Sequence, residues 1–228
     1  METFGPQLLK VLEIIWVNII LSGDNAVVIA MACRGLPPHR QRTGMVLGAG
    51  VAVVLRIVFT AIIASLLTTP FLKIIGGALL LWVAVKLLTD EEGEGSGITE
   101  SNRLWHAIRT VAIADAVMSL DNVLAIAAVA KDSTALLVLG LAISIPLIVA
   151  GASLIITVLE RFPVLVWAGA ALLGWIAGDM IVSDPALVSR FGQATIEHWE
   201  LPASIVGAAV VLAAGWFLTR GRAAASHA

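Results

Sequence analysis

The chain has 228 residues, of which 59% are hydrophobic and 13% charged, with a formal net charge of −2. Soluble domains carry about 25% charged residues, so this composition, with a mean hydropathy of +0.99, excludes an ordinary soluble domain and describes an integral membrane protein. The small net charge gives no reason to expect a nucleic-acid partner, and a single cysteine, Cys33, excludes an internal disulfide and any multi-thiolate metal centre.

Apolar runs occupy residues 8–33, 44–67, 70–88, 105–130, 134–158, 163–182 and 201–219. Their length predicts an all-α polytopic protein of about seven transmembrane helices in the lipid bilayer, rather than a barrel. The start, Met1 to Pro6, lacks the basic region of a cleaved signal peptide, so the first run reads as a retained span. Trp105 and Trp199, near segment ends, fit an interfacial aromatic belt in a chain without Tyr.

The first and fourth runs are the longest, and each carries the same polar interruption: Ser22-Gly23-Asp24-Asn25 and Ser119-Leu120-Asp121-Asn122. As straight helices of about 26 residues they would reach roughly 39 Å, against a hydrocarbon core of roughly 30 Å. They must tilt or break, and a break is expected at the Ser-x-Asp-Asn motifs, whose side chains compete for backbone hydrogen bonds. Gly23 is expected to allow close backbone approach in the first motif. An Asp at the centre of a membrane helix costs roughly 2.5–3.5 kcal/mol, so two of them ask for a partner.

The loop after the first run holds Arg34, Arg40 and Arg42; Arg103 and Arg109 flank the start of the fourth; Arg161 follows the fifth; Arg220 and Arg222 follow the seventh. The other side holds Lys131 and Arg190, with Lys10 and Lys73 near span starts. The positive-inside rule then predicts a multi-pass cell-membrane protein with its N-terminus outside and its C-terminus cytoplasmic. The acidic, glycine-rich stretch Asp90 to Gly97 reads as a cytoplasmic linker. Ser183-Asp184-Pro185 reads as a helix start, with a short surface helix over residues 186–191.

The two motifs also align with their surroundings. When Asp24 is set on Asp121, Asn18 falls on Asp115; farther on, once the loop after the first run is allowed to be four residues longer than the loop after the fourth, Pro70, Gly76 and Trp82 fall on Pro163, Gly169 and Trp175. Spans 1–3 and 4–6 thus read as two copies of one unit, and an odd number of spans inverts the second copy. This is the plan of many secondary transporters, with sites at the midplane on interrupted helices. The organisation is a first repeat over 1–89, a linker over 90–104, a second repeat over 105–183, an extracytoplasmic connection over 184–200, and a seventh span with a basic tail over 201–228.

The paired SGDN and SLDN motifs resemble the TerC family of integral membrane proteins and, within it, a YjbE-like branch of metal transport proteins. The resemblance covers about residues 8–182. It implies seven spans and, in several members, manganese export, although the family is named for tellurium resistance. It carries over Asp24, Asn25, Asp121 and Asn122 as candidate ligands, with Ser22 and Ser119 beside them. Arg56 and Lys86 also look like family positions; where the first repeat has Lys86, the second has Asp179.

Two Asp carboxylates, two Asn carbonyls and freed backbone carbonyls would form an oxygen set suited to a hard divalent cation such as Mn²⁺, Mg²⁺ or Ca²⁺, and poorly suited to Cu⁺ or Zn²⁺. Such an ion is cargo rather than a resident cofactor, and none is expected. Asn18, Ser22 and Asn25, and equally Asp115, Ser119 and Asn122, share i, i+4, i+7 spacing; on unbroken helices each set forms a polar stripe that is either a path to the site or glue between helices. Asp115 and Asp179 are further candidates for proton carriage or for salt bridges. Arg56, a charge at membrane depth, needs a carboxylate partner. Lys86 lies near a span end, where a lysine snorkels. Gly44-x-x-x-Gly48 and Gly174-x-x-x-Gly178 read as close helix packing.

Moving one charge across 100 mV is worth about 2.3 kcal/mol, so expelling a divalent ion costs about 4.6 kcal/mol before any gradient. No nucleotide-binding motif is present to supply it, which leaves exchange for H⁺ or Na⁺. The expected function is export of a divalent cation, not enzymatic catalysis. Three rival readings remain: a membrane partner that delivers metal to, or scaffolds, other membrane or secreted proteins without transporting; an intramembrane aspartyl enzyme; and a carrier of small organic solutes. The expected partners are the divalent ion, the lipid bilayer, and a second copy of the chain or a membrane partner protein.

Overall fold

A computed structural model describes residues 23–66, 69–89, 99–129 and 134–225. Among them the chain is helical, with no strand. The helices are α1 (Gly23–Cys33), α2 (Pro38–Leu66), α3 (Leu72–Thr89), α4 (Glu100–Val129), α5 (Thr134–Arg161), α6 (Val164–Val182), α7 (Pro185–Phe191) and α8 (Gln193–Ala225). Five contain stretches long and apolar enough to cross a membrane: Pro38–Phe59, Leu72–Thr89, Leu141–Arg161, Val164–Val182 and Gln193–Arg220. Large apolar side chains lie on the outside of these stretches, among them Val54, Val58, Leu154 and Phe217. A polytopic membrane protein places such side chains against lipid, where they need no protein partner.

The helices form two compact units that do not follow chain order. Residues 1–67 and 99–158 make one, and residues 68–98 and 159–228 make the other. In the first, α1 packs on α4 and α2, and α2 packs on α4. Val53 of α2 and Leu141 of α5 share a buried cluster with Ile57 and Ile145. In the second, α6 packs on α3 and α8. Helices that the sequence alignment makes equivalent therefore pack on each other: α1 on α4, α2 on α5 and α3 on α6. The linker at 90–98 lies outside the described residues.

Glycines set the closest approaches, as their spacing suggested. A Cβ on Gly48 would meet Val111 at 3.3 Å, and one on Gly44 would press on Leu36 and Cys33. In the second unit the contacts are backbone to backbone. Gly174 and Gly207 stand against each other, and Gly178 stands against the carbonyl of Ala203. Gly77 of α3 faces Ile181 and the Ala177 carbonyl of α6.

Two expectations change. The Ser119–Asn122 motif does not break its helix: α4 runs from Glu100 to Val129 without interruption. The reason is local, because Ser119 Oγ donates to Asp115 Oδ2 at 3.0 Å and so leaves the backbone ladder alone. The connection over 184–200 is itself helical: after α7, the last helix begins at Gln193, and 201–219 lies inside it.

Asp184 explains how α3 and α7 start. It caps α7, accepting from Ala186 N at 2.8 Å, with Pro185 in the first helical position. The same carboxylate accepts from the backbone N–H groups of Phe71 and Lys73, each at 3.0 Å, and of Ile74 at 3.3 Å. These are orphan donors of the first turn of α3. Phe71 has φ 64°, a left-handed conformation unusual for a bulky residue. Its hydrogen bond to Asp184 offsets that strain.

Candidate cation site

The polar residues of the first unit converge where α1, α2 and α4 meet. Asp24 lies in the first turn of α1, and its Oδ1 accepts from Asn25 N at 2.8 Å. One residue on, the Asn25 side chain is 4% exposed, and neither its Oδ1 nor its Nδ2 has a hydrogen-bond partner among the described residues. Leaving a buried polar group unsatisfied costs about 1–3 kcal/mol. An amide held open at both ends therefore points to a ligand rather than to packing.

Arg56 enters from α2 and Asp115 from α4. Arg56 Nη2 donates to Asp115 Oδ1 at 3.1 Å, with both side chains 3% exposed. Asp115 is the counter-ion that a guanidinium at this depth requires. Ser119, one turn along α4, donates to the other carboxylate oxygen. Asp24 lies within electrostatic range of both Arg56 and Asp115. Asn25 and Asp115, with Val28, Ile29 and Val111, line a crevice too tight for a water molecule.

The structure thus brings together Asp24, Asn25, Arg56, Asp115 and Ser119. Asp121 and Asn122 lie on α4 beyond Ser119, with their side chains outside the described residues. The same holds for Asn18 and Ser22 as whole residues. Continuity of α4 is the condition under which positions 115, 119 and 122 share one face. Lys86 and Asp179 belong to the second unit. Gly77 faces Ala177 and Ile181, and Lys73 Nζ donates to Ser183 Oγ. Asp179 therefore sits at the start of α3, whereas Lys86 lies about 13 Å farther along that helix. Lys86 stacks on Trp82, its Nζ 4.8 Å from the ring centroid.

The donors in the crevice are oxygen atoms, apart from the Asn25 amide nitrogen. Cys33 lies at the far end of α1, packed near Gly44. No group of three or more His, Cys, Asp or Glu side chains is gathered among the described residues. Oxygen donors of this kind suit a hard cation. Asn25 is a candidate ligand on its motif, its polar stripe and the repeat; what sequence alone does not give is the burial of its amide without a partner among the described residues.

Comparison with known proteins agrees with this architecture. The chain is 41% identical over 210 residues to the uncharacterized membrane protein YjbE of Bacillus subtilis (strain 168), covering 92% of this chain and 95% of that protein. It is 25% identical to two further uncharacterized membrane proteins of the same organism. These are YceF, over 82% of this chain and 71% of that protein, and YkoY, over 89% and 69%. No solved structure matches the chain. Residues 4–223 match the integral membrane protein TerC family, covering both units and every helix of the candidate site, and the chain belongs to that family.

Proposed function

We propose that this protein exports a divalent metal cation, with Mn²⁺ the first candidate, through the site at Asp24 and Asn25, in exchange for H⁺ or Na⁺. The observation that carries the reading is the Asn25 side chain, buried with both polar ends unengaged among the described residues and lining the same crevice as Asp115. Asp24 supplies a carboxylate beside it. The second motif, Asp121 and Asn122, supplies the matching half by the internal repeat. The family resemblance favours manganese among the hard ions.

The membrane orientation is part of the proposal. Phe71 and Lys73 bond to Asp184, and His39 bonds to Glu100 at 3.2 Å. Each pair joins two loops that an alternating path puts on one side. The excess of arginine then assigns the His39–Glu100 side to the cytoplasm.

The test is Mn²⁺ flux in proteoliposomes for the parent, Asp24→Asn and Asp121→Asn. Loss of flux in both variants is the expected result. Undiminished flux in both would reduce the motifs to structural polar groups. A folded parent without flux would favour a membrane partner that hands metal to other proteins.

A further inference from the structure

We propose that Arg56 is a tethered counter-ion that withholds Asp115 from the cation, keeping the site weak enough to let its cargo go. The inference rests on the cation reading above and concerns how tightly the site holds the ion.

Asn25 and Asp115 line one crevice in opposite chemical states. Both amide ends of Asn25 lack a partner among the described residues. Both carboxylate oxygens of Asp115 are engaged: Oδ1 accepts from Arg56 Nη2 at 3.1 Å, and Oδ2 accepts from Ser119 Oγ at 3.0 Å. An arriving cation therefore meets the neutral oxygen of Asn25 and the half-buried carboxylate of Asp24. A second carboxylate stands beside them, already neutralised. Without Arg56 the ion would meet Asp115 as one more unneutralised carboxylate, in addition to those of the two motifs. Affinity for such ions rises with the charge of the ligand set, and that is how a storage site is built. A pathway needs binding strong enough to admit the ion and weak enough to release it.

Arginine suits this task for a physical reason. Its guanidinium stays protonated throughout the physiological range, so it cannot be switched off by a proton, and its planar fork fixes the carboxylate in one geometry. Asp115 thus acts as the holder of Arg56 rather than as a ligand. Arg56 is a positioning residue: it touches no cargo, and it sets how much negative charge the cargo meets.

The experiment is calorimetric titration of Mn²⁺ into the purified full-length protein, with flux in proteoliposomes, for the parent, Arg56→Gln, and Arg56→Gln combined with Asp115→Asn. Arg56→Gln should bind Mn²⁺ about ten-fold more tightly and transport it more slowly, because Asp115 joins the ligand set. The double variant should bind within about three-fold of the parent, since it exchanges an ion pair for a neutral hydrogen-bonded pair. Should Arg56→Gln fail to fold, the double variant decides alone. Binding weakened about ten-fold or more in the double variant would make Asp115 a cargo ligand and overturn the proposal. So would a folded Arg56→Gln protein that binds no more tightly than the parent. A parent that binds Mn²⁺ while both variants match it overturns only this inference; a folded parent that binds none overturns the cation reading as well.

Discussion

Arg56 Nη2 and Asp115 Oδ1 stand 3.1 Å apart where α2 crosses α4, each side chain 3% exposed. Removing one member of such a pair strands the other charge in a medium that cannot solvate it, at a cost of about 3–5 kcal/mol. Arg56→Leu and Asp115→Leu should each lower the unfolding temperature in detergent by many degrees. The double leucine variant should lose less than the sum of the two. Strict additivity in that cycle would show that the two charges do not act as a pair.

Asp184 is fully buried and serves two helix starts at once. Each lost cap is worth about 0.5–2 kcal/mol, so Asp184→Ala should cost about twice what a single-helix cap does. Asp184→Asn should fall between, because its amide keeps one accepting oxygen where the carboxylate had two. Thermal unfolding of the three proteins checks the order. Proteolysis at the start of α3 should rise in step with the loss.

Gly178→Ala puts a methyl group into the carbonyl of Ala203, where backbone rather than a flexible side chain must move. Overpacking of this kind costs about 1–3 kcal/mol. At Gly151 a Cβ meets nothing within 4 Å, so Gly151→Ala should be neutral or slightly stabilising, since alanine favours helix by up to about 1 kcal/mol. Equal losses at the two positions would remove close approach of α6 and α8 as the reason for the glycine.

The exposed contact of Glu100 with His39 and Arg40, at 3.2 and 3.8 Å, should contribute little. Pairs in solvent are worth about 0–1 kcal/mol. Glu100→Gln should leave the unfolding temperature within about a degree of the parent, and added salt should erase even that difference. A large loss would show that this contact anchors α4 against the start of α2.

Much of the fold could be read from composition and run length, because a lipid environment leaves helices as the only way to satisfy backbone in such runs. Small-residue spacing at Gly44/Gly48 and Gly174/Gly178 marked real close contacts. That Arg56 needs a carboxylate followed from its depth. That the carboxylate is Asp115 did not, since Asp24 and Asp121 were equally available and only the register of α2 against α4 decides. The helix-start role of Asp184 was legible from the proline beside it. Its reach to Phe71, across a sequence separation of 113, was not. The expected break at Ser119 failed because propensity counts only the backbone as a partner for a hydroxyl, and here a neighbouring carboxylate was closer.

The interleaving of the two units sets the order in which the protein can be made. Arg56 and Asp115 are separated by 59 residues. At a synthesis rate of roughly 5–20 residues per second, Arg56 has been in the chain for about 3–12 s before Asp115 is added. During that interval Arg56 must be shielded by lipid headgroups, by water or by the insertion machinery rather than by its final carboxylate. A longer delay applies to α3, which ends at Thr89 while its partner α6 begins only at Val164. Biogenesis of this protein is therefore a holding problem: its early helices wait in the bilayer for late ones, and the charge at Arg56 is the most expensive passenger.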